Sequence, residues 1–397
     1  MITGEYPPAM GGISDYTAHL VRALRARSLR VSVLTAGAPR PVEDVTSVEG
    51  WTPHGVAAIA RALLEMKADV VHLQYQTAAF GMSPLVNLMP LLLKTHGVRA
   101  RFVTTFHDFR APYLFPKAGR LRGVANRVLL AASDAAIFVN RSDLARTHRA
   151  SASWIPIAPA IRPEEDHPDV RASTRARLGF DSDDVVVAHF GFINRSKGTD
   201  ILVRAAADLL SNGLRLRLLF VGEPVGASDG TNASTVREMR ELADTLGMTD
   251  QVISTGSLAA ADVSMALEAA DMVALPFLDG ASLNRSSLLA CFAHSLAVVT
   301  TYPAAQPQIA SRHLLPPFDE TKQFVIDENV AALVPPGDHR ALASAILELA
   351  TDATRRQRLG SAGRRFVGPL QWHTVAEATH LLYERLCSRG GQASPQR

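Results

Sequence analysis

Cysteine is almost absent: Cys291 and Cys387 are the only two in 397 residues. Neither stands in a metal-ligand spacing, so no metal site and no disulfide scaffold are expected. A reducing compartment, the cytoplasm, fits this usage. Cys291 falls in an apolar helical stretch and reads as core. Long apolar runs are lacking too. No stretch of about 18 uninterrupted apolar residues occurs, which argues against a membrane-spanning helix. Met1-Ile-Thr-Gly-Glu5 is not a secretory signal. The apolar segment from Pro84 to Leu93 is too short to span a bilayer and is interrupted by Pro90. It reads as a core helix, or as a membrane-leaning or acceptor-facing surface. Charge imbalance is small, 41 basic against 38 acidic residues, net +3, so no nucleic-acid partner is expected. The pairs Arg355-Arg356 and Arg364-Arg365 read as a solvated helix face. Weak peripheral contact with anionic lipid heads on the inner membrane face is the other reading. No internal repeat of about 20–50 residues is visible.

What is present is alternation. The chain is 47% hydrophobic and 20% charged, and apolar strands alternate with amphipathic helices, the pattern of parallel sheets covered on both faces. In the first half strands are expected at Val31–Leu34, Val70–Leu73, Phe102–Phe106 and Ala135–Val139. Helices are expected at Ser14–Arg27, His54–Met66, Leu121–Ala132 and Arg141–Arg149. Met1-Ile-Thr3 is shorter than the roughly five residues usual for a strand, so it is expected to be partly formed or truncated. Pro156, Pro159, Pro163 and the acidic run Glu164–Pro168 read as a linker. A second series follows, with strands at Val185–Phe190, Arg217–Val221, Val252–Ser254, Met272–Leu275, Ala297–Thr300 and Ala331–Val334. Gly226–Ser234 reads as a mobile loop, and the polar tail from Ser388 as disordered. The length favours two domains. These are placed at 1–160 and 161–368, with a C-terminal helix and tail at 369–397.

Three turns carry candidate chemistry. In Gly191-Phe-Ile-Asn-Arg-Ser-Lys-Gly198, a glycine turn joins a buried strand to a helix and brings Arg195 and Lys197, a means of holding anionic oxygens. In Gly4-Glu-Tyr-Pro-Pro-Ala-Met-Gly11-Gly12-Ile-Ser14-Asp15, tandem glycines permit positive φ. Ser14 or Asp15 can cap the next helix, whose amides favour a phosphate or a sugar hydroxyl. The third turn, Leu275 to Ser287, brings Asp279, Ser282, Ser286 and Ser287 before an apolar helix, Leu288–Ala293. Ser286 or Ser287 fits a helix cap or a ligand donor. Asp279 can accept from sugar hydroxyls. Ligands in open parallel sheets bind beyond strand carboxyl ends. There stand Gln74 and Tyr75, read as pocket-lining or acceptor-facing, and His107 beside Asp108. His107 can donate to a developing oxyanion or bond a sugar hydroxyl.

Taken together, these turns resemble the GT-B retaining glycosyltransferases of family 4, over nearly the whole chain. Glu328-Asn-Val-Ala-Ala-Leu-Val-Pro-Pro-Gly337-Asp338 is similar to the family's late donor-domain loop. Gln371-Trp372 and its helix resemble the segment that crosses back to the N-terminal domain. The resemblance implies an α/β fold of two Rossmann-like, doubly wound domains facing across a cleft. It implies a nucleoside diphosphate sugar as co-substrate, bound by the C-terminal domain, with no metal and no other cofactor. A glycan, lipid-linked or small-molecule acceptor would bind the N-terminal domain, and anomeric configuration would be retained. Lys197 falls on the family's phosphate-binding lysine, and His107 on its sugar-touching histidine. Gly11, Gly12 and Gly191 fall in its phosphate-side turns. Departures are clear. The family's loop arginine falls on Phe192, leaving Arg195 as a stand-in. Its paired glutamates fall on Ser282 and Ala290, and its glycine and proline on Ser295 and Ala297. A decayed GT-B scaffold and a nucleotide-sugar epimerase are the alternatives.

Overall fold

The computed structural model describes residues 1–36, 44–109, 122–147, 149–163, 169–222, 232–305, 307–318 and 324–390. The expected acidic linker 164–168 lies outside the described residues, as do most of the loop 226–234 and the tail beyond 390. Two compact units emerge. The first is Met1–Ile157 with Gln306–Gln323 and Trp372–Arg397; the second is Ala158–Ala305 with Phe324–Gln371.

The first unit contains β1 (Ile2–Thr3), α1 (Gly12–Arg25), β2 (Val33–Ala36), β3 (Val45–Val48), α2 (Pro53–Met66) and β4 (Val70–Tyr75). There follow α3 (Met89–Thr95), β5 (Arg101–Phe106), α4 (Arg122–Ala132), β6 (Ala135–Phe138), α5 (Arg141–Ala145) and β7 (Ala152–Trp154). Among the described residues its strands form one parallel sheet in the order β3-β2-β1-β4-β5-β6-β7. The short β1 is central: Ile2 and Thr3 pair with Leu34 and Thr35 on one side and with Leu73 and Gln74 on the other. Its two residues are fully buried, so brevity does not weaken its pairing. Pro90 lies in the first turn of α3 rather than breaking a helix, since that turn has no use for its missing N–H. Val86, Met89 and Leu93 point into the core. The helix after β6 ends at Ala145, shorter than expected.

The second unit contains α6 (Val170–Arg177), β8 (Val185–Phe190), α7 (Thr199–Ser211), β9 (Leu216–Val221), α8 (Asn232–Thr245), β10 (Val252–Ser254) and α9 (Ala260–Glu268). Then come β11 (Met272–Leu275), α10 (Ser286–Ala293), β12 (Val298–Thr301), β13 (Ala332–Val334), α11 (His339–Thr351) and α12 (Ala353–Val367). Its parallel sheet runs β10-β9-β8-β11-β12-β13. Val187, Leu218, Met272 and Val299 on its strands pack with Leu202, Leu209, Leu342 and Ile346 of α7 and α11. Strand order reverses at β8, which lies between β9 and β11, so this is the topological switch point where such sheets bind ligands. The final helix, α13 (Trp372–Gly390), belongs to the first unit, where Trp372 stacks on His19 of α1 at 5.0 Å. Ser388 to Gly390 are helical, not part of a disordered tail.

Residues 307–318, expected within the second domain, also belong to the first unit. Leu314 bridges Trp154, and His313 donates from Nδ1 to the Ala152 carbonyl at 2.6 Å. Arg355 pairs with Glu348, and Arg356 donates to the Leu349 and Ala350 carbonyls, so half of the expected basic face is committed within the fold. Among the described residues no helix is long and apolar enough to cross a membrane.

Candidate functional site

The turn after β8 and the loop after β11 meet at the switch point of the second unit. Gly191 takes φ +113°, and a methyl group added there would lie 3.6 Å from Lys197 Nζ and 3.4 Å from Ser287 Cβ. The bare glycine thus leaves space directly beside an amine and a hydroxyl. Gly198, φ +64°, lies so close to β11's exit that an added Cβ would come within 2.2 Å of the Pro276 carbonyl oxygen. Leu278 N–H donates to the Ser196 carbonyl at 2.9 Å and ties the two segments together.

Between them Lys197 donates from Nζ to Ser287 Oγ at 3.3 Å and lies 4.9 Å from the centre of the Phe277 ring. The residue is half-buried, but its amine is the enclosed end. Burial and then the neighbouring Arg285 guanidinium push its pKa down to about 7, partly offset by Cys291 and Asp279. A buried ammonium beside a second cation is disfavoured on both counts, and the nearby Asp279 carboxylate is engaged by that second cation. His189 on β8 donates from Nδ1 to the Ala274 carbonyl at 3.1 Å, and its buried Nε2 meets no partner.

Several expectations change here. Arg285, given no role from sequence, is the cation beside Lys197, 4.6 Å from the Phe277 ring; Arg195 is exposed. Asp279, expected to accept from sugar hydroxyls, is ion-paired to Arg285. Ser282 donates to the Asn284 side chain. Neither Ser286 nor Ser287 caps α10: the cap position is Arg285, and both serines lie in the first helical turn. Their backbone N–H groups are therefore among those without an intrahelical acceptor.

In the first unit the glycine turn behaves differently from the expectation. Gly11 has φ 177°, extended backbone open to any residue, and α1 begins at Gly12, so neither glycine uses positive φ and Ser14 is no cap. What Gly11 supplies is room: an added Cβ would meet the Glu5 carboxylate at 2.2 Å. Burial and then Glu5 raise the Asp15 pKa. Two carboxylates at this helix start oppose a phosphate, which moves the anion-binding expectation away from Gly11 and Gly12.

Gln74 and Tyr75 face inward. Tyr75 donates to Asn126 Oδ1 at 2.8 Å and accepts from Asn87 at the same distance. Gln74 accepts from His107 Nε2 at 2.9 Å and donates to His72 Nε2 at 3.3 Å; His72 donates from Nδ1 to Tyr383 Oη of α13 at 2.5 Å. Both are buried and spent on the protein, so neither lines a pocket. Asp108 is half-buried. The chain of bonds also fixes the His107 tautomer. With its Nε2–H given to Gln74, the neutral ring presents Nδ1, an acceptor for a hydroxyl hydrogen bond rather than the donor expected for an oxyanion.

Burial drives the pKa of His72 and His107 down to about 3 and of His189 down to about 4. The unfolded chain, with histidines near 6.5, binds more protons between those values and 6.5. Folding stability is therefore full above about pH 6.5 and falls by up to about 1.4 kcal/mol per histidine per pH unit below it. Urea midpoints should drop steeply from pH 6.5 to 4.5, and less steeply in His107→Gln. Equal slopes would contradict the burial of this ring as a neutral group.

Comparisons with known proteins decide the family. Residues 11–156 match the glycosyl transferase 4-like domain, and residues 184–352 match glycosyl transferases group 1. The chain belongs to the family 4, group 1 glycosyltransferases. It is 26% identical over 393 residues to the GDP-mannose-dependent alpha-(1-6)-phosphatidylinositol monomannoside mannosyltransferase of Mycolicibacterium smegmatis, covering 94% of this chain and 95% of that one. It is 31% identical over 219 residues to the D-inositol 3-phosphate glycosyltransferase of Kineococcus radiotolerans, 54% of this chain and 47%, about half, of that relative. Its fold matches sucrose-phosphate synthase from Thermosynechococcus elongatus with a TM-score of 0.73, at 20% identity, over 97% and 96% of the chains. The fold is GT-B.

The departures of this glycosyltransferase from its family now have locations. Ala290, at the second glutamate position, is fully buried in α10 and brings no carboxylate that could reach a ribose. Ser295, at the glycine position, adopts φ +57°, so the left-handed turn persists with a residue that pays strain for it. Among the described residues no group of three or more His, Cys, Asp or Glu side chains is placed to hold a metal ion.

Proposed function

We propose that the chain transfers a sugar from a nucleoside diphosphate sugar to a hydroxyl of a glycan, glycolipid or small-molecule acceptor, with retention of configuration. The enclosed Lys197 amine beside Gly191 and Ser287, at the switch point of the second unit, carries this reading. The step that needs help is departure of the diphosphate. Its growing negative charge is met by the Lys197 ammonium, the Ser287 hydroxyl and the backbone amides at the start of α10. The leaving oxygen can take the acceptor's proton as the acceptor attacks from the same face, so no side-chain nucleophile is required. The second unit would hold the donor and the first the acceptor. The relative named for GDP-mannose and a phosphatidylinositol mannoside supports both the donor class and a lipid-linked acceptor.

The test is a thermal-shift panel of UDP-, GDP- and ADP-sugars, followed by an NMR assay of the product's anomeric configuration. The right donor at about a hundred times its Kd should stabilise the fold by about 2.7 kcal/mol, and the product should keep the donor's configuration. No shift with any donor would favour a scaffold. Epimerised donor formed without acceptor would favour an epimerase.

A further inference from the structure

We propose that Arg285 is the second cation of the diphosphate site, and that Asp279 occupies it as an internal anion which the diphosphate displaces. This rests on the reading of Lys197 just given.

Phe277 is the platform. It is 0% exposed and lies two residues beyond β11; burial confines its ring, and its carbonyl, accepting from Thr301 Oγ1 at 2.7 Å, anchors its backbone. The Arg285 guanidinium and the Lys197 amine stand 4.6 and 4.9 Å from its centre. Cations favour an aromatic ring, but two of them around one ring repel each other unless an anion joins them. Asp279 supplies that anion, paired to Arg285. The pairing is asymmetric. The Arg285 side chain is 18% exposed and that of Asp279 is 42% exposed, so Asp279 is the partner that can return to water. Its backbone stays in place. The next residue, Gly280, is pressed so closely against the following strand's exit that an added Cβ would lie 2.8 Å from the Tyr302 carbonyl oxygen. Exchange therefore proceeds by rotation of the Asp279 side chain on a fixed backbone. An exposed ion pair contributes at most about 1 kcal/mol. A diphosphate offers oxygens to both Lys197 and the planar fork of Arg285, which suits two-point binding. The structure thereby accounts for Phe192 at the family's loop-arginine position: the guanidinium comes from the other loop.

Calorimetric titration with UDP and GDP, at fixed pH and salt, tests this on the wild type and a set of single variants. Arg285→Gln should weaken binding about 10- to 100-fold. Asp279→Asn should tighten it about three- to tenfold, because the competing carboxylate is gone. Arg204→Gln, on the exposed side of α7, should change it by less than about threefold. Should Arg285→Gln fold poorly by its melting curve, Arg285→Lys, which keeps charge but not the fork, should show an intermediate loss. Weaker binding in Asp279→Asn would overturn the proposal, since the carboxylate would then touch the ligand. So would a larger loss in Arg195→Gln than in Arg285→Gln. If wild type binds and Lys197→Ala does not, yet Arg285→Gln binds normally, this inference alone falls. If wild type binds no nucleoside diphosphate, the reading of Lys197 falls and this inference with it.

Discussion

Replacing Lys197 with alanine is expected to lower turnover about 10²–10³-fold, the usual loss on removing one preorganised donor from a developing anion. The geometry gives the reason. The amine is enclosed by Phe277, Ser287 and the bare Cα of Gly191, where water screens charge poorly. A pKa near 7 before ligand binds sharpens the expectation. A diphosphate arriving beside Lys197 favours its charged form, so above pH 7 binding takes up a proton. Donor affinity should then fall as pH rises through 7 and beyond, and calorimetric heats should depend on the buffer's ionisation enthalpy. Both effects should vanish in Lys197→Ala. Near wild-type turnover in the variant, or an unchanged buffer dependence, would remove Lys197 from the chemistry.

Gly198→Ala should be nearly as damaging by a different route. The residue combines φ +64° with an approach that would put Cβ 2.2 Å from the Pro276 carbonyl oxygen. Left-handed backbone alone costs alanine about 1–2 kcal/mol. The overlap adds to this, because backbone rather than a flexible side chain must move. The two loops would separate, breaking the bond from Leu278 N–H to the Ser196 carbonyl and carrying Lys197 away from Ser287. Stability should fall by at least about 2 kcal/mol, and activity about 10²-fold, since misplacement of about 1 Å has that effect. A urea melt and an initial-rate assay check both. Wild-type values in the two would mean the loop contact does not position Lys197.

The fold was legible where strands are buried on both faces. Val185–Phe190 and Met272–Leu275 coincide with the expected strands, because continuous apolar runs bounded by turns leave little choice. The edge strands β3 and β7 were missed. Val45-Thr-Ser-Val48 is half polar, and Ala152–Trp154 is only three residues long. In the site, Lys197 was legible because a local glycine turn positions it. Arg285 was not, since its role depends on Phe277 and Lys197, which a linear reading does not bring together. Gln74 and Tyr75 misled for a related reason. Strand ends look ligand-facing in sequence, but here the pleat and the neighbouring helices turn both side chains inward. Gly11 misled because tandem glycines suggest positive φ, whereas its backbone is extended and its near neighbour is the Glu5 carboxylate.

The most direct measurement is a crystal structure of the chain with its nucleotide-sugar bound. The expected result places a diphosphate oxygen within hydrogen-bond distance of Lys197 Nζ and of Ser287, in the space left by Gly191. A donor bound elsewhere, or a diphosphate that leaves Lys197 untouched, would contradict it.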